Sequence, residues 1–163
     1  MRPLQRESVD VKDLARMVVD FVHDEDSAHP YVAGGGEIQF DCVVPWDLPA
    51  VSGNPELLSI ALYNVVGNAC KFTPPQGRVK VVVDQEDRWV TVEVIDSGRG
   101  ILAEDLARVG QELFRGQNVD DLPGRGLGLA TARAIVEVHG GSLDVDSVAG
   151  RGTMVKVGLP AVP

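Results

Sequence analysis

Asn64-Val65-Val66-Gly67-Asn68-Ala69-Cys70-Lys71-Phe72-Thr73 is the stretch on which the reading of this chain turns. Asn64, Asn68 and Lys71 stand at helical spacing and so share one stripe. On the same helix, Leu58, Ala61, Leu62, Val65, Val66 and Ala69 form an apolar stripe more than a quarter-turn away. One stripe packs and the other is left for chemistry. Two carboxamides and an amine are what a magnesium-bound phosphate chain calls for: amide oxygens for a hard cation, an ammonium for phosphate oxygens. Taken alone, such a pattern is more often a solvated helix edge, and the decision rests with the rest of the chain.

The bulk properties set the frame. A chain of 163 residues suits one domain and can bury a real core without staples. Its 44% apolar and 24% charged content is that of an ordinary globular protein. A net charge of -9 argues against a nucleic-acid or anionic-membrane surface, because phosphate backbones reward clustered cations. Cys42 and Cys70 have neither a C-x-x-C partner nor metal-ligand spacing, which fits a reducing cytosol. There is no signal peptide, and the apolar runs are far shorter than a membrane span.

Outward from the central helix, capping and alternation mark the other elements. Asn54-Pro55-Glu56 is a helix start, with a side chain able to accept from early N–H groups and proline in the first turn; Pro74-Pro75 ends the helix. Val11, Leu14, Val18, Phe21 and Val22 predict an earlier helix over 9–22, with Ser8 and Asp10 as possible caps. The acidic stretch 24–36 is a loop, Ile38, Phe40 and Cys42 alternate as a short strand, and 43–50 leads out through Pro45 and Pro49. Val79, Val81 and Val83, then Val90, Val92 and Val94, predict two strands close enough in sequence to form a hairpin. Helical spacing returns weakly over 102–109, and the polar stretch 110–124 is a flap. A helix over 127–139 is expected to face inward with Leu127, Ala130, Ala134, Ile135 and Val138, and two last strands run through Leu143 and Val145 and through Val155, Val157 and Leu159. This order predicts an α+β fold, a two-layer sandwich whose mixed, mostly antiparallel sheet is covered on one face by three main helices.

Two further motifs carry chemistry. Asp96-Ser97-Gly98-Arg99-Gly100 puts a carboxylate at a strand end, able to accept from the exocyclic amine of adenine, before glycines that let a ring approach the backbone. A plain surface turn is the alternative for that motif by itself. Gly124-Arg125-Gly126-Leu127-Gly128-Leu129 opens a helix with glycines, exposing N–H groups to an anion. It matches neither a P-loop nor a dinucleotide-binding fingerprint.

The order N-x-x-x-N-A-x-K-F-T, D-x-G-x-G-I, L-F-R, G-x-G-L-G-L-A, H-G-G and G-x-G-T closely resembles the ATP-binding catalytic domain of sensor histidine kinases, of the Bergerat-fold superfamily that also holds gyrase, Hsp90 and MutL. The resemblance runs from about residue 8 to 160 and implies one catalytic domain over 1–163, with a linker over 1–7 and an ATP lid over 109–125. It implies ATP and magnesium as cofactors. By position, Asn68 matches the magnesium ligand and Asn64 its support; Lys71 is placed for phosphate and Phe72 for packing on adenine. Asp96 resembles the adenine-reading aspartate, with Gly98, Gly100 and Ile101 beside the base and Thr153 near its pocket. Arg115 matches the lid arginine that reaches the terminal phosphate, and Gly124, Gly126, Leu127 and Gly128 match the end of the lid. Departures fall in the lid: its usual leading phenylalanine is replaced near Gly110, and Arg125 stands where a small hydroxyl residue is common.

Gyrase-like and Hsp90-like relatives carry a water-activating glutamate at the position of Asn64. An amide cannot take a proton at neutral pH, so the resemblance implies little hydrolysis and transfer of the terminal phosphoryl group to an outside nucleophile. That nucleophile is a histidine on a helical dimerisation domain. His23, His29 and His139 do not qualify: His23 falls in the first helix, His29 in a loop, and His139 at a helix end, where a partial positive charge suits the dipole. The expected partners are therefore that phospho-acceptor domain, preceding Met1, and a response regulator, with a monomeric fragment from a homodimeric parent and no nucleic acid. A cytoplasmic location follows, with membrane anchorage of the parent left open. The rival readings are a regulatory or scaffold module that binds nucleotide without transfer, and an ATPase clamp of the gyrase type.

Overall fold

The computed structural model describes residues 3–24, 38–106 and 128–163. In chain order the elements are β1 (Glu7–Val9), α1 (Val11–Asp24), β2 (Gln39–Val43), β3 (Val51–Gly53), α2 (Pro55–Phe72), β4 (Arg78–Glu86), β5 (Trp89–Asp96), α3 (Ala103–Leu106), α4 (Gly128–Val138), β6 (Ser142–Val148) and β7 (Gly152–Pro160). Valine alternation does what period two requires. Val79, Val81, Val83, Val90, Val92 and Val94 all face the helices and are at most 1% exposed. β4 and β5 form the expected hairpin, from Glu86 opposite Trp89 to Val79 opposite Asp96, and Asp87 takes a positive φ of 52° in its turn.

The five-stranded sheet has the order β2-β4-β5-β7-β6. β2 runs parallel to β4, and the other pairs are antiparallel. α1, α2 and α4 lie on one face, where one apolar cluster joins Val18, Leu58, Val65, Val92, Val136 and Val157. The opposite face carries polar side chains, among them Lys156, whose Nζ is 2.9 Å from both carboxylate oxygens of Glu86. Among the described residues, no helix is long and apolar enough to cross a membrane.

Three expectations change. Val9 belongs to β1, not to the first helix, and Ser8 is a strand residue and not its cap, because β1 pairs antiparallel with β3, Glu7 opposite Gly53 and Val9 opposite Val51. α1 begins two residues later, with Asp10 Oδ1 accepting from the N–H groups of Lys12 and Asp13. On α4 the buried residues are Ala132, Ile135 and Val136; Ala134 and Val138 are exposed. Leu127 and the lid segment 109–125 lie outside the described residues.

His139 is the third change. It is 3% exposed and sits in the seam between α2 and α4. Its Nε2 accepts from Asn54 N–H at 3.0 Å, so the ring proton is on Nδ1 and is donated to Ile135 O at 2.7 Å. The ring is a neutral latch between the helices, not a cation on a helix dipole.

Candidate functional site

α2 is capped at both ends. At its start, Asn54 Oδ1 accepts from Leu57 N–H at 3.0 Å, and Pro55 occupies the first turn. At its end, Thr73 Oγ1 donates to Ala69 O at 2.7 Å. The two stripes separate as the spacing requires: Leu58, Ala61, Leu62, Val65, Val66 and Ala69 are buried, while Asn64 and Asn68 are half-buried. Lys71 is 7% exposed, with its ammonium 5.0 Å from the centroid of the Phe72 ring.

The carboxylate turn closes onto that helix end. Arg99 N–H donates to Phe72 O at 3.3 Å, and Ser97 exchanges two bonds with the backbone of Arg78. Contact this close explains Gly98: a Cβ there would lie 2.5 Å from Phe72 O. Gly100 has a positive φ of 69°, and a Cβ on it would strike the carbonyl of Val148. Both glycines are therefore demanded by the protein's own backbone, whatever ligand they also admit.

Asp96 ends β5 on the helix-facing side of the sheet, directly opposite Thr153 of β7. Its Oδ1 accepts from Gly98 N–H at 2.8 Å and from Thr153 N–H at 3.2 Å. Burial pushes its carboxyl up to about 6, and these two N–H groups hold it from rising further. Thr153 is in turn opposite Ser147 of β6. Ser147 Oγ contacts Thr153 Oγ1 and Gly152 O, each at 2.8 Å, and accepts from Ile101 N–H at 2.7 Å.

Phe72, Asp96, Gly98, Ile101 and Thr153 are thus joined through one hydrogen-bonded neighbourhood at the ends of β5, β6 and β7, with Gly100 in the same turn against the carbonyl of Val148. Gly128 starts α4, with no described atom within 4 Å of where a Cβ would stand. Arg115, Gly124, Arg125, Gly126 and Leu127 lie outside the described residues. Sequence reasoning missed Ser147, since a serine in a strand carries no signal until the register places it beside Thr153. Among the described residues there is no cluster of His, Cys, Asp or Glu suited to a metal ion. Carboxamide oxygens remain as donors, and these suit a hard divalent ion that takes most of its ligands from water and phosphate.

A family model described as "Histidine kinase-, DNA gyrase B-, and HSP90-like ATPase" matches residues 53–163. The chain belongs to this ATPase family. Its relatives include the signal transduction histidine-protein kinase/phosphatase MprB of Mycolicibacterium vanbaalenii, 40% identical over 133 residues, which cover 78% of this chain and 27% of that protein. The heme sensor protein HssS of Staphylococcus saprophyticus is 36% identical over 125 residues, or 76% of this chain and 27% of that one. The chain thus spans about a quarter of the length of these curated relatives. Among solved structures, the mycobacterial sensor histidine kinase MprB superposes with a TM-score of 0.81 at 31% identity, covering 98% of this chain and 99% of that one. Full-length ShkA in complex with AMPPNP superposes with a TM-score of 0.80 at 26% identity over 99% of this chain and 32% of that one. The two-layer α+β architecture of this ATPase-family member is therefore that of histidine kinase structures.

Proposed function

We propose that this chain binds magnesium-ATP and transfers its terminal phosphoryl group to a histidine on a separate helical domain that also dimerises the parent kinase. The observation that carries the reading is the tie from Arg99 N–H to Phe72 O, which sets the Asp96 turn against the end of the helix bearing Asn64, Asn68 and Lys71. A base reader and a row of phosphate-side donors then border one site.

In this reading Asp96 accepts from the exocyclic amine of adenine, Phe72 packs on the ring, and Thr153, Gly98, Gly100 and Ile101 wall the pocket. Asn68 supplies the amide oxygen for magnesium and Asn64 supports it. Lys71 and Arg115 neutralise phosphate oxygens, and Gly124, Gly126, Leu127 and Gly128 form the cradle at the start of α4. Magnesium, when bound, supplies charge neutralisation on the phosphates. Catalysis by the protein's own residues is positioning and charge compensation, with the bond to the γ-phosphorus broken as the histidine nitrogen attacks and ADP leaves. Asn64 cannot act as a base toward water, so hydrolysis stays slow. A response regulator would take the phosphoryl group onward, and this piece would be monomeric in a cytoplasmic part of its parent.

The test has two stages. Calorimetry with AMPPNP, with and without magnesium, should show magnesium-dependent binding that Asp96→Asn weakens. Adding the parent's helical hairpin with γ-labelled ATP should label a histidine, and Asn68→Asp should abolish the label with the fold intact. Tight nucleotide binding without any labelled histidine would leave the regulatory-module reading in its place.

A further inference from the structure

Ser147 makes three contacts through one hydroxyl, and their directions can be deduced. A serine hydroxyl has one proton to give and two lone pairs to accept with. Gly152 O is a carbonyl, so it takes the Ser147 proton at 2.8 Å. The peptide N–H of Ile101 can only donate, and it fills one lone pair of Ser147 Oγ at 2.7 Å. What is left for Thr153 Oγ1, 2.8 Å away, is the second lone pair. Thr153 must therefore donate its proton to Ser147, which leaves its own lone pairs to accept from another donor.

The row Asp96, Thr153, Ser147 runs across three neighbouring strands on the side of the sheet that faces the helices. Asp96 Oδ1 is held by the N–H groups of Gly98 and Thr153, while among the described residues Oδ2 has no hydrogen-bond partner. An ionised carboxylate oxygen and an oriented hydroxyl lone pair both seek donors. A 6-amino purine presents an N–H there; a 6-oxo purine presents a carbonyl lone pair at that position, which meets repulsion, and its one N–H, on N1, can satisfy only one of the two acceptors.

We propose that Ser147 is a positioning residue for base selectivity: by taking the hydroxyl proton of Thr153 it fixes that hydroxyl as an acceptor, and so disfavours 6-oxo purines at the Asp96 pocket. This rests on the reading of Asp96 as the base-reading group. Ser147 touches no ligand in this scheme and acts through Thr153. Without it, the Thr153 hydroxyl is free to rotate and to donate to a 6-oxo group.

The experiment is calorimetric binding of ADP and of IDP to the whole chain at pH 7.5, since the two differ at the 6-position of the base in amine versus oxo. In the wild type ADP binds tighter, and in Ser147→Ala the ADP-to-IDP affinity ratio falls about tenfold. Ser147→Thr, which keeps the hydroxyl, restores the ratio. Thr153→Val loses the same discrimination, and the double variant loses no more than either single one. Equal weakening of both nucleotides by Ser147→Ala overturns the proposal, as a structural role does that. An unchanged ratio in Thr153→Val overturns it independently of how Ser147→Ala folds. Absence of ADP binding to the wild type, or ADP affinity indifferent to Asp96→Asn, refutes the underlying site reading and this proposal together. ADP binding that depends on Asp96 with an unaltered ratio refutes only the role of Ser147.

Discussion

The two ends of α2 are held in the same way and serve different purposes. At the N-terminal end a backbone N–H, that of Asn54, meets the side chain just past the end of α4, His139 Nε2. At the C-terminal end a backbone carbonyl, that of Phe72, meets the N–H of Arg99 in the carboxylate turn. The first contact joins a half-buried N–H to a buried ring, with both ring nitrogens of His139 used and no polar atom of that ring left for a ligand. The second lies beside a carboxylate with one oxygen uncommitted among the described residues. Long-range hydrogen bonds fix both ends, and recognition is possible where the network is left incomplete.

The contrast can be broken by substitution. Asp96→Asn places an amide N–H where the free carboxylate oxygen stood, opposite another N–H donor. Nucleotide affinity should fall by roughly a hundredfold, as for loss of a charge-assisted bond, while the melting temperature does not fall. Calorimetry and thermal unfolding of one preparation check both, and a large stability loss would erase the distinction between the ends. His139→Ala should do the reverse. It strands the half-buried Asn54 N–H and costs about 2–3 kcal/mol in urea unfolding, with ADP affinity of the folded protein changed less than twofold.

Acidity separates the ends next. The carboxyl of Asp96 titrates at about 6 in the folded chain, above the usual range near ~3.9 of an unfolded one. Between those values the folded state binds more protons at this site, so the contribution of Asp96 to stability is greatest below about pH 4 and is lost as pH rises through about 6. The loss should be on the order of 3 kcal/mol and should vanish from the pH profile of Asp96→Asn. The smallest effect concerns the start of α4. With no described atom within 4 Å of the missing Cβ, Gly128→Ala should gain about 0.5 kcal/mol from helix propensity. Weaker AMPPNP binding by that more stable variant would sharpen the comparison, marking α4's first turn as a ligand contact.

How much of this was legible depended on how local each signal was. α2 could be read residue by residue because its caps, Asn54 with Pro55 and the final Pro74-Pro75, bracket a clear division between apolar and amide stripes. α4 kept its existence but not its phase. Its sequence, Gly128 to Val138, is small and apolar on nearly every side, so several faces look alike. Of the residues expected to face inward, Ile135 is buried, beside Ala132, Val136 and His139, while Val138 is exposed. The pairing of β1 with β3 left no local trace either, since three-residue strands separated by a helix and a strand announce nothing about each other.

The sequence by itself determined the hairpin, the central helix and its two stripes, the strand-end carboxylate and the family. Those follow from period, capping and motif order, which act within a few residues. Tertiary structure alone decided why Gly98 and Gly100 must lack side chains, the proton direction in the Thr153–Ser147 pair, and the tautomer of His139. Each depends on atoms brought close by sheet register and helix packing, and no spacing along the chain encodes where a neighbour's carbonyl will lie.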